Sequence, residues 1–228
     1  MRDLYKGDSE RCGIVYCGEF VELQNSSKEP VDNFELDLDY EKYQWSKIEA
    51  IVHSHIDGTN YLSTNDRIYQ VRTGKNWILV TKDGVFTYKP VAHLRGRSFE
   101  YGVSDCATLV EDAYHLAGIN LTKLSRGTLE GDDKSLKLLT SLPKLGFSKV
   151  KPEELAPGDV ICTGNNGYHL MLYVGNELVI HHAFGQFSRQ QAISSTLLKS
   201  VNSIWRHRDW NDDRIQAILA DLKTSTLL

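Results

Sequence analysis

The sequence predicts an α+β protein built in two units, and three observations predict it. Before residue 83, the apolar or alternating runs GIVYCGEFVEL, IEAIVHSH and NWILVTKD read as strands. DCATLVEDAYHLAG then carries the spacing of an amphipathic helix. After it, ELAPGDVICTG and YHLMLYVGNELVIHHA are short β-branched and aromatic runs broken by Gly and Asn, which predict a small antiparallel sheet.

Taken in order, the N-terminal MRDLYKGDSERCG lacks the apolar stretch of a secretory signal, so ordinary export is not expected and synthesis in the cytoplasm is. The first unit is expected over residues 1–85, with its last strand closed by the turn dipeptide Asp83-Gly84. The boundary is expected near residues 83–95, and Tyr88-Lys89-Pro90 is read as opening the second unit, residues 90–210. Its helix has Asp105 as N-cap, Leu109, Val110, Ala113, Leu116 and Ala117 on one face, and Gly118 as its stop. The tail, 211–228, places Ile215, Ile218, Leu219 and Leu222 at helical spacing behind the candidate cap Asn211.

Composition excludes several function classes. With 228 residues, 41% hydrophobic and 25% charged, the chain is an ordinary globular sequence with no membrane span expected. A net charge of −4 and a pI near 6.1 supply no basic field for nucleic acid. Four cysteines without a Cys-x-x-Cys pair point to reduced thiols. Cys12, Cys17 and Cys162 fall in predicted strands and are expected to be buried, while His93, His115 and His207 have no evident chemical neighbours.

Two clusters carry chemistry. In HSHIDGTNYLSTND, His53 and His55 lie two apart at the end of an apolar strand, so both imidazoles can face one metal. Ser63 and Asp66 follow. Taken alone, that pair reads as a helix capping box; with the histidines, two His and one carboxylate leave a fourth zinc position open, as catalytic sites require. The segment resembles the JAMM (MPN) metallopeptidase pattern, His-x-His followed by Ser and then Asp. The resemblance implies an α/β domain in which His53, His55 and Asp66 bind Zn(2+), Glu10 of SERCGIV acts as general base, and Ser63 helps hold the oxyanion. Arg11 and Ile56 depart from the phage form of that pattern.

In the second cluster, Cys106 follows the cap Asp105 at the helix start, where the macrodipole is expected to lower the thiol pKa. A nucleophilic thiol needs an imidazole base and a group to orient that ring. His169 and the pair His181-His182 are the candidates. Hairpin geometry leaves the third residue open: a two-residue loop puts His182 on the face of His169, and a three-residue loop puts His181 there. The pieces GRSFEYGVSDC, APGDVI, HLMLYVGN and VIHHA resemble the NlpC-type cell-wall peptidases, papain-like α+β enzymes. That resemblance implies Cys106 as nucleophile, His169 as general base and acid, and His181 as orienting residue, with Phe99 standing where the family often has Tyr.

The order of the two domains is similar to that of the phage tail assembly proteins of the K family. The resemblance implies a tail-tip protein of the virion whose partners are other tail-tip proteins and peptidoglycan stem peptides, cut at a D-Glu to diamino-acid linkage during wall penetration. The first domain would hydrolyse an amide or isopeptide bond. The alternative is a structural tail-tip component or assembly factor whose peptidase folds serve as docking surfaces.

Overall fold

The computed structural model describes residues 1–127, 134–164 and 169–224, with the backbone alone for 134–136. It separates into Met1–Val91 and Ala92–Leu228.

The first unit is a five-stranded sheet of order β2-β1-β3-β4-β5, made of β1 (Cys12–Tyr16), β2 (Glu19–Leu23), β3 (Ile48–Ser54), β4 (Asn76–Thr81) and β5 (Gly84–Tyr88). Only β3 and β4 run parallel, and helix α1 (Thr64–Thr73) makes the crossover between them. Ile51, Leu62, Trp77, Leu79 and Tyr88 form one buried cluster, and Ile14, Tyr43 and Ile48 another. Tyr88 therefore ends the first unit instead of opening the second: its ring is core, and its hydroxyl donates to the carbonyl of Asn60 at 2.5 Å. Cys17 is also not where the sequence reading puts it. It sits exposed with φ 51° in the tight β1–β2 turn with Gly18, because the run GIVYCGEFVEL folds into two strands around that pair.

In the second unit, α2 (Cys106–Leu116) and α3 (Lys134–Lys144) precede β6 (Phe147–Val150), β7 (Val160–Thr163), β8 (His169–Gly175), β9 (Leu178–His181) and β10 (Arg189–Ala192). Helix α4 (Ser195–Lys199), β11 (Val201–His207) and α5 (Ile215–Thr224) complete it. The six strands form one antiparallel sheet of order β10-β9-β8-β7-β11-β6, with α2 and α5 both packed on β8. Ile161, Met171, Val179 and Ile204 make a buried cluster across it.

The tail helix is shorter than 211–228. It begins at Ile215 after a 3-10 turn, Asp212–Arg214, and Asn211 makes no side-chain cap; residues 225–228 lie outside the described residues. The helix belongs to the second unit. Buried Asp221 accepts from the backbone of Leu94 at 2.7 Å and lies 3.0 Å from His93 Nδ1. His93 therefore has a chemical neighbour, and so does His207, whose Nε2 donates to the Leu145 carbonyl at 2.9 Å.

Candidate functional site

The first cluster forms at the C-terminal end of β3. His53 lies in the strand and His55 just beyond it, so the two-residue period turns both rings to one side. Glu10 arrives by register. Antiparallel pairing sets Cys12 opposite His53, and the same register carried two residues further sets Glu10 opposite His55, with Oε1 3.8 Å from His55 Nε2. Asp66 comes from the first turn of α1. There Ser63 Oγ accepts the Asp66 backbone N–H at 3.1 Å, while Asp66 Oδ2 accepts the Ser63 backbone N–H at 2.8 Å. The capping box and the His-facing carboxylate are thus one arrangement.

The donor atoms converge. His53 Nε2 and His55 Nε2 are 3.2 Å apart, and Asp66 Oδ2 lies 3.4 Å from the first and 3.3 Å from the second. A tetrahedral ion with bonds of about 2.0–2.1 Å sets neighbouring donors roughly 3.3 Å apart, so the three atoms have the spacing a zinc ion needs. The Thr59 carbonyl, 3.0 Å from His55 Nδ1, can only accept; it fixes the proton there and leaves Nε2 bare toward the other two donors. His53 Nδ1 is buried and has no hydrogen-bond partner among the described residues. The His53 ring is held by stacking on Phe34 at 4.6 Å and by the edge of Trp77 at 5.3 Å. Beside Asp66 opens a hollow of about 550 Å³ walled by Phe34, Trp45, Tyr69 and Trp77.

Electrostatics divide the cluster. Burial opposes ionisation of Asp66, yet the charges and hydrogen bonds of His53 and His55 hold it well below the usual carboxylate range. Burial pushes His53 down. The same burial acts on His55, but the hydrogen bond and charge of Asp66 win and raise it. Glu10 is pushed up to about 8 by burial.

In the second unit, Asp105 caps α2, accepting from the N–H groups of Ala107 and Thr108 at 3.0 Å each and from Gly102 at 2.7 Å. Arg126 locks that carboxylate with Nε at 2.8 Å and Nη2 at 3.0 Å. Cys106 follows at the first helical position of α2, which packs on β8, the strand that begins at His169. The expected lowering of the thiol pKa is not found. Cys106 keeps some accessible surface, but crowding by neighbouring atoms pushes the thiol up to about 11, and adjacent Asp105 adds to the rise. The helix terminus and Arg126 do not offset that desolvation.

His169 Nε2 lies 3.0 Å from His181 Nδ1, and His181 Nε2 lies 3.0 Å from Gln191 Oε1. Burial pushes His169 down to about 4 and lowers His181 as well. The structure makes His181 the neighbour of His169, but not by the loop length the hairpin rule required. The β8–β9 loop has two residues, Asn176 and Glu177, with φ 51° and 58°. That loop alone would set His182 opposite Met171. A bulge between Tyr173 and Gly175, where Gly175 takes φ 91°, shifts the register by one and pairs Met171 with His181 instead. His182 is fully buried against the edge of Phe99, ring centroids 5.3 Å apart. Tyr101, which carries the aromatic hydroxyl of that stretch, donates to the Gly127 carbonyl at 2.6 Å.

A profile of the NlpC/P60 family matches residues 96–209. The chain is also 36% identical over 179 residues to the tail tip assembly protein K of Escherichia phage lambda, an alignment covering 77% of this chain and 90% of that protein. This chain belongs to the phage tail K family, with an NlpC/P60 domain. That domain contains Cys106, His169 and His181. The alignment with the lambda protein is longer than the second unit, so the kinship reaches into the first. The peptidoglycan hydrolase RipB from Mycobacterium tuberculosis, a solved structure, is 20% identical with a TM-score of 0.34; the likeness covers 50% of this chain and 52% of that chain, about half of each.

Sequence reasoning did not find Arg126, Arg189 or Gln191. No local pattern marks Arg126 as the partner of Asp105, and RQQA reads as a polar loop until β10 is seen to pair with β9.

Proposed function

We propose that the NlpC/P60 domain is a cysteine endopeptidase acting on peptidoglycan stem peptides, with a D-Glu to diamino-acid linkage as the bond cut, and that it serves wall penetration at the virion tail tip. What supports this reading is the His169–His181 pair, Nε2 to Nδ1 at 3.0 Å, together with a cysteine at the first position of α2, the helix packed on the strand that begins at His169. His169 takes the thiol proton as sulfur attacks the scissile carbonyl. It then returns that proton to the leaving amine as the C–N bond breaks, and a water molecule releases the acyl group from sulfur. His181 orients the His169 ring. The deciding experiment incubates purified chain with peptidoglycan and identifies released peptides by mass spectrometry; Cys106→Ser must abolish release while the protein stays folded.

The first unit is proposed as a JAMM-type zinc amide or isopeptide hydrolase, supported by the donor spacing of His53, His55 and Asp66. Zinc, when bound there, would supply Lewis acidity at a buried site. Glu10 is the group beside that point suited to carry a proton, and Ser63 keeps Asp66 aimed.

The second reading is a tail component that keeps these folds as docking surfaces. The neutral resting groups favour it: a thiol at about 11 and an imidazole at about 4 do not form a thiolate–imidazolium pair at neutral pH until substrate changes the surroundings.

A further inference from the structure

Gln191 and Arg189 lie on β10, at the edge of the sheet, and register brings them to the histidines. Arg189 pairs directly with His181, which pairs with Met171, so Arg189, Gln191, His181 and His169 share one face across three adjacent strands. A guanidinium can only donate. Arg189 Nε and Nη2 approach the same atom of Gln191, Oε1, at 3.3 and 3.2 Å, which fixes that atom as the amide oxygen. The oxygen lies 3.0 Å from His181 Nε2, so the His181 proton must sit on Nε2. The bare His181 Nδ1 then accepts from His169 Nε2–H at 3.0 Å, which leaves His169 Nδ1 without a proton.

We propose that Gln191, held by Arg189, is a positioning residue that sets the tautomer of both histidines and so keeps His169 Nδ1 free to receive a proton. This rests on the reading of Cys106 and His169 as nucleophile and base. If the amide oxygen is removed, His181 is free to place its proton on Nδ1. His169 Nε2 must then be the acceptor, its own proton moves to Nδ1, and that nitrogen becomes a donor where the proposed reaction needs a base. Burial and the Arg189 charge favour the neutral His181 that this relay uses.

The test is nitrogen NMR of histidine-labelled full-length chain at neutral pH, with signals assigned by single-histidine variants, alongside peptide release from peptidoglycan. In the unmodified protein His169 and His181 should both carry their proton on Nε2. Gln191→Leu should show a new Nδ1-protonated population at His181 and lose about tenfold or more of its release rate through kcat, with its melting midpoint retained. Gln191→Glu keeps an acceptor, so it should retain the Nε2-protonated form and move the acid limb of the pH–rate profile to higher pH, since a carboxylate favours imidazolium. A His181 protonated on Nδ1 in the unmodified protein overturns the proposal, as does a Gln191→Leu protein with unchanged tautomers and unchanged release. Correct tautomers in a protein that releases no peptide uphold the relay and count against the peptidase reading alone. Cleavage with the opposite tautomers does the reverse.

Discussion

The backbone N–H of Ser63 donates to Asp66 Oδ2 at 2.8 Å, and that same oxygen lies 3.3 Å from His55 Nε2. One carboxylate therefore closes a helix cap and faces the histidine pair, so changing the cap perturbs both. Ser63→Ala removes the hydroxyl that accepts from Asp66 N and should destabilise the first unit by about 1 kcal/mol, the usual cost of a lost N-cap. Metal affinity should fall with it, because Asp66 is less firmly aimed. Denaturant melts and zinc titration of the same variant check this; an unchanged zinc affinity would mean that Asp66 is oriented by something other than the cap.

Zinc should bind at about one ion per chain, and Asp66→Asn or His53→Ala should abolish that stoichiometry. Added zinc at about a hundred times its Kd should raise the stability of the first unit by roughly 2.7 kcal/mol, and chelator should reverse the gain. Elemental analysis and melts with and without chelator decide the matter. A chain that stays metal-free in excess zinc at neutral pH rules out the JAMM reading.

Cysteine labelling should follow exposure first and burial second. Cys17, exposed in its turn, should react first with iodoacetamide at neutral pH, Cys106 second, and buried Cys12 and Cys162, both pushed up to about 12, last. The reactive form is the thiolate, so the Cys106 rate should climb about tenfold per pH unit until pH approaches 11, and be lost as pH falls. Mass spectrometry of time points at several pH values reads this. Cys106 outrunning Cys17 at pH 7 would show that the helix terminus overcomes burial after all.

His181→Ala should cut peptide release through kcat, and less than Cys106→Ser or His169→Ala, since an orienting group does not itself carry the proton. His182→Ala should leave release largely intact and instead cost about 1–3 kcal/mol of stability, because it empties buried space beside Phe99. Parallel kinetics and melts separate the two. Loss of release at His182 with normal stability would mean that the wrong ring has been assigned to the relay.

What could be read from the sequence follows from where patterns are local. The strands around His53, the cap at Asp105 and the helix behind it depend on short-range periodicity and turn residues, and the sequence reading matches them. The sign of the Cys106 shift did not follow, because a helix-start position is visible in sequence whereas the packing of β8 against α2 is not. Arg126 and Gln191 reach their partners across 21 and 10 residues, by tertiary folding and strand pairing that no motif encodes. Tyr88-Lys89-Pro90 looked like a beginning because Pro punctuates chains, yet the Tyr88 ring was needed by the core before it.

The choice between His181 and His182 was illegible for a further reason, and it has a consequence for how the site tolerates change. Leu178, Val179 and Ile180 form an unbroken apolar run, so the strand offers no alternation of polar and apolar residues to pin its register. The bulge at Gly175 does that instead. If β8 straightened and β9 slid by one residue, the core would still receive aliphatic side chains, and His182 would arrive opposite Met171 where His181 now stands. The doubled histidine thus gives the sheet a spare: a slip of register here exchanges one imidazole for another and does not leave the position empty.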